Sequence, residues 1–115
     1  MIERRAHVRV ATKVDIIYSK SNSKEEEKSS YTKDISKGGM CLVLSEEVKE
    51  SEMLDLKINL PTEEAPITVT GKVVWIHKFI FEEPPKERGF FAGIQFVDID
   101  DETGKKIDGF ISTIV

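Results

Sequence analysis

Arg4, Arg5 and Arg9 put three guanidinium groups within six consecutive positions. The last two form an R-x-x-x-R pattern, Arg5-Ala6-His7-Val8-Arg9. A guanidinium is a planar fork of N–H donors that grips an oxyanion through two bonds and also stacks on flat rings. On an extended chain, Arg5 and Arg9 can reach two such groups at once. A second cluster is Asp34-Ile35-Ser36-Lys37-Gly38-Gly39, a D-x-S-x-x-G pattern. An ionised Asp34 only accepts hydrogen bonds, whereas the Ser36 hydroxyl donates or accepts. Gly39 can take a positive φ or let another group approach the backbone closely. Each cluster has a plain reading when taken singly. Charge runs are usually solvated surface, and Asp, Ser and Gly favour turns. Taken together, they describe a site for an anion that also carries N–H donors.

The elements that must position these residues are strands, because the dominant hydrophobic period is two. Val8 to Tyr18 reads as one long first strand. Ser19 to Ser30 is a polar Ser/Lys/Glu loop, with Glu25-Glu26-Glu27 at its solvated tip. Tyr31 to Asp34 enters a tight turn at Ser36-Lys37-Gly38-Gly39, and Met40 to Leu44 leaves it, which makes a hairpin. Leu54 to Leu60 alternates until Pro61. In Ile67 to Lys78 one face carries Ile67, Val69, Gly71, Val73, Trp75 and His77, so Trp75 is expected in the core and His77 partly buried. Phe90 to Val97 is apolar on both faces and should be central, and Cys41 should pack as a small apolar side chain. The period then changes. Ile107, Phe110, Ile111 and Ile114 share one helical face, with Asp100 or Asp101 as N-cap. The expected fold is all-β, a six-stranded antiparallel β-barrel with a C-terminal α-helix over one end.

Composition bounds the function. The chain has 115 residues, 39% of them hydrophobic, which suits a single domain. Met40 to Leu44 is the longest apolar run, far short of the roughly 20 residues of a membrane span, so no membrane insertion is expected. The net charge of −4 argues against a general DNA or RNA binder. Residues 1–13 nevertheless hold Arg4, Arg5, Arg9 and Lys13 against Glu3 alone, a local cationic end. A single cysteine excludes an intrachain disulfide and a multi-Cys metal site, and His7 and His77 stand too far apart to suggest zinc. No nucleophile, Walker or metalloprotease signature is present, so no enzyme is expected. A cytoplasmic location follows as an expectation from the lone cysteine and the absence of an apolar leader.

With an arginine pair leading into the first strand and D-x-S-x-x-G across the next hairpin, the chain resembles the PilZ domain family. Gly71-Lys72-Val73-Val74-Trp75 and Ala92-Gly93-Ile94-Gln95-Phe96 are similar to that family's middle and last strands. Chance alone would produce both patterns in order in about 1% of such chains or fewer. The resemblance implies a non-enzymatic bacterial receptor for the second messenger cyclic di-GMP (c-di-GMP), with no cofactor and no metal. Arg5 and Arg9 would clamp phosphate and guanine, with Arg4 in support. Asp34 and Ser36 would read a guanine edge, and Gly39 would shape the turn. Residues 1–115 would then be one PilZ-type domain, with 1–9 a flexible ligand-binding segment ordered by ligand and 100–115 the C-terminal helix. An unidentified downstream protein would read that ordering. A basic residue at the position of Arg4 further implies two stacked ligands. The rival readings are a PilZ-like protein-interaction module that binds no nucleotide and an OB-like barrel for single-stranded nucleic acid.

Overall fold

A computed structural model describes residues 8–21, 26–80, 82, 84 and 88–115. The chain runs β1 (Arg9–Ala11), β2 (Asp15–Lys20), β3 (Lys28–Ser36), β4 (Gly39–Leu44), β5 (Met53–Asn59), β6 (Ile67–Ile80), β7 (Arg88–Val97) and α1 (Asp101–Ser112). Six antiparallel strands close a barrel in the order β2-β5-β6-β7-β4-β3, and β1 adds to β3 as an extra strand. This is the expected barrel and helix.

Alternation explains the inner face. β5 buries Leu54, Leu56 and Ile58 and exposes the residues between them. β4 is buried along its whole length and is flanked by β3 and β7 on its two edges. β7 has partners on both edges, as its two apolar faces led one to expect. Helix α1 begins at Asp100, whose carboxylate accepts from the Thr103 amide at 2.7 Å. Ile107, Phe110 and Ile111 are buried on the barrel core, each worth about 1.5–3 kcal/mol of apolar transfer. That outweighs the cost of about 1 kcal/mol each for Gly104 and Gly109 in a helix. Ile114 lies past the end of α1 and is 46% exposed, so it is no part of the buried stripe.

The structure corrects several boundaries. Val8 to Tyr18 is not one strand. β1 pairs with the end of β3 (Ala11 opposite Asp34), and β2 pairs with its beginning (Asp15 opposite Tyr31). Between them the buried Thr32 hydroxyl stands in for the ladder, accepting from Val14 N at 2.9 Å and donating to Thr12 O at 2.6 Å. β3 starts at Lys28, inside the stretch read as a loop, because β2 supplies backbone partners to Lys28–Ser30 despite their polar side chains. Glu26 and Glu27 are exposed as expected, while Glu25 lies outside the described residues. β6 extends to Ile80 and β7 begins at Arg88, each stabilised by the other.

Candidate functional site

The β1–β3 register sets Arg9 opposite Ser36, which makes Asp34 a diagonal neighbour on the same face. Arg9 Nη1 donates to Asp34 Oδ1 at 2.5 Å. The Arg9 Nε is buried and has no hydrogen-bond partner among the described residues. Asp34 sits between Ala11 on β1 and Cys41 on β4. Burial pushes the Cys41 thiol pKa up, and the Asp34 carboxylate adds to the shift, so the thiol stays neutral.

The Ser36 hydroxyl organises the turn. It accepts from Gly38 N and Gly39 N, each at 3.2 Å, and donates to Gly39 O at 3.3 Å. Gly39 does not use a positive φ, as no described glycine does. It is required by a close approach instead, since a Cβ there would collide with the Ile94 carbonyl oxygen of β7. A depression of about 250 Å³ opens beside the turn, lined by Arg9, Ser36, Gly38, Gly39, Trp75 and Gln95, among others.

Trp75 is not in the core. It is 44% exposed, and a bulge in β6 explains why. Val73 pairs with Ile94 and Trp75 pairs with Gly93, so Val74 is an extra residue and the alternation beyond it is inverted. The indole then lies against Gly93, where any Cβ would collide with the ring. His77, on the same inverted stretch, is exposed rather than partly buried. Trp75 also lines a neighbouring groove of about 540 Å³ with Asp34, Lys33, His77 and Phe91. Lys33 is extruded by a second bulge, between Thr32 and Asp34, and its ammonium lies 4.6 Å from the Phe91 ring centre. Two adjoining hollows therefore share one indole wall, with Arg9 in one and Asp34 in the other.

A family model described as PilZ domain matches residues 3–112. The chain belongs to the PilZ domain family. Among solved structures, the PilZ domain of YcgR from Escherichia coli with c-di-GMP superposes with a TM-score of 0.75 at 13% identity, covering 96% of this chain and 91% of that one. Bacillus subtilis MotI/DgrA, an inhibitor of motility, gives 0.73 at 26% identity, covering 98% of this chain. The MrkH–c-di-GMP complex of K. pneumonia gives 0.74 at 17% identity, with 98% of this chain covered. This PilZ chain spans about half the length of the last two proteins, 52% of each. The comparison with curated proteins returns no match.

Of the residues singled out from the sequence, the PilZ fold brings together Arg9, Asp34, Ser36 and Gly39. Arg4 and Arg5 lie outside the described residues. Sequence reasoning missed Trp75, Gln95 and Lys33 as site residues. The available signal for Trp75 was Gly93 within β7, since a strand glycine marks a close approach by another group. Among the described residues no cluster of His, Cys, Asp and Glu could hold a metal ion, and no helix is long and apolar enough to cross a membrane.

Proposed function

We propose that this PilZ domain is a non-enzymatic receptor for c-di-GMP. One observation carries the reading: Arg9 and Asp34 are held together at the foot of an exposed indole, beside a turn of tightly apposed backbone. A guanidinium whose Nε has no partner among the described residues suits a phosphate or the O6/N7 edge of guanine. The Asp34 carboxylate suits the N–H donors on the Watson–Crick edge of guanine. The Trp75 face offers a stacking surface for a base. YcgR and MrkH, both solved with c-di-GMP, support the ligand by likeness of fold.

Before ligand arrives, Arg9 and Asp34 neutralise each other. A ligand bearing both phosphate and guanine gives each of them a new partner, and the pair separates without leaving a buried charge alone. Ser36 was expected to read a guanine edge, but its buried hydroxyl is engaged by the Gly38 and Gly39 backbone, so its part, with Gly39, is to keep the turn in shape beneath the ligand. Arg4 and Arg5 supply further positive charge, and two stacked ligands use all three arginines. Arg9 is already held in β1, so the ordering expected of residues 1–9 is confined to the residues before it, and that ordering over the site is the signal that a downstream protein reads. Calorimetric titration with c-di-GMP tests the reading. Saturable binding is expected, with a ratio near two that falls in Arg4→Leu. No heat and no protection at millimolar ligand would remove the receptor function.

A further inference from the structure

Lys37 stands at the apex of the Ser36–Gly39 turn but points away from the depression that the turn lines. Its stem lies across α1 at Gly104, where a Cβ would come within 2.9 Å of Lys37 Cε. Its ammonium reaches Asp108 Oδ2, four residues further along the helix, at 3.4 Å. The two helix glycines differ in this respect. Gly104 is buried beneath Lys37, while Gly109 has nothing within 4 Å of the place its Cβ would take. The neighbouring Gly38 carbonyl accepts from Phe96 N at 2.9 Å, so β7 holds the turn from the other side.

We propose that α1 braces the ligand-binding turn through Lys37, which makes Lys37 a positioning residue and couples ligand occupancy to the stability of the helix. The proposal rests on the receptor reading above and names a regulatory path for that same site. Lys37 and Asp108 side chains are 39% and 51% exposed, so their ion pair is weak and the packing of the stem over Gly104 carries most of the coupling. The backbone of Ser36, Gly38 and Gly39 is shared between the ligand depression and the turn. Anything that loosens the helix side of the turn therefore loosens the ligand side. Coupling is reciprocal, so ligand that fixes the turn must also firm the helix.

The test compares wild type with Lys37→Ala and Gly104→Ala by c-di-GMP calorimetry, hydrogen exchange and thermal unfolding. Both variants are expected to bind about threefold to tenfold more weakly, at the low end of ordinary coupling strengths. In wild type, c-di-GMP should slow exchange of the α1 amides around Ile107–Ile111, and Lys37→Ala should abolish that response. Gly104→Ala favours the helix, so its melting temperature should not fall even as affinity drops; a merely structural role would move the two together. Wild-type affinity in both variants, or α1 exchange indifferent to ligand in wild type, overturns the brace. If wild type binds no c-di-GMP, the receptor reading fails on its own. The brace is then judged from the Gly38 and Gly39 amides without ligand, which must exchange faster in both variants than in wild type if it exists.

Discussion

Arg9 keeps one nitrogen on Asp34 and another buried without a partner among the described residues, so it is positioned in advance and under-satisfied. A ligand gains from both conditions. Arg9→Ala is expected to weaken c-di-GMP binding by about 1.5–3 kcal/mol, the range for hydrogen bonds to charged groups. Trp75→Ala should cost about 1–3 kcal/mol, the worth of one stacked base. Trp75 is 44% exposed, so its melting temperature should barely move, whereas Arg9→Ala leaves the Asp34 carboxylate without its cation and should lower it modestly; calorimetry beside a thermal melt checks both statements. In the proposed receptor Asp34 would discriminate between bases and not merely bind. Asp34→Ala leaves guanine N–H donors unpaired at about 1–3 kcal/mol, and it also releases Arg9. Its preference for c-di-GMP over cyclic di-AMP should narrow; an unchanged ratio between the two affinities would take Asp34 out of base reading. Arg9 and Asp34 were singled out from residue type and spacing, and the structure brings them into contact. Trp75 was not, because one extra residue in a strand moves every later side chain to the opposite face.

Among the elements, β2, β3 and the segment after β4 are tied at one end of the barrel by Glu46. It accepts from the Tyr18 hydroxyl at 2.8 Å and pairs with Lys28. Burial alone would raise the Glu46 pKa, but the Lys28 and Tyr18 hydrogen bonds outweigh it and the net shift is downward. Burial, followed by the bond to Glu46, pushes the Tyr18 phenol up beyond its ordinary range. A carboxylate with a lowered folded pKa adds stability above the ordinary Glu value, about 4.3, and that stability is lost as pH falls through the lowered value. Glu46→Gln should therefore be less stable than wild type at pH 7 by under about 1 kcal/mol, since the group is partly exposed. Urea titrations at several pH values should show that gap closing on the acid side; a gap independent of pH would mean the charge is irrelevant. At this scale the sequence identified strand and helix types well and boundaries less well. Lys28-Ser29-Ser30 has no apolar pattern and is a strand only because β2 lies alongside it.

Across the whole molecule, the barrel closes through pairings between distant segments, and α1 covers the core that closure leaves open. Phe110 is 5% exposed within that shared core. Phe110→Ala is expected to cost about 3–5 kcal/mol, the usual range for a buried ring. Denaturant unfolding should show one cooperative transition at a lower midpoint. If the helix instead melted separately while the barrel midpoint stayed fixed, α1 would be an appendage and not part of the domain core.

The amino-acid sequence by itself determined the barrel-plus-helix class, a helical cap at Asp100 or Asp101 and the chemistry available to Arg9, Asp34 and Ser36. Those properties follow from local periodicity and from functional groups that each residue carries anywhere. Only the tertiary structure decided where the chain bulges and what the closely packed glycines accommodate. The extra Val74 turns Trp75 outward onto Gly93, Gly39 admits the Ile94 carbonyl, and Gly104 admits Lys37. Each depends on a partner far along the chain, and the space left by an absent side chain has no meaning until the fold brings that partner to it.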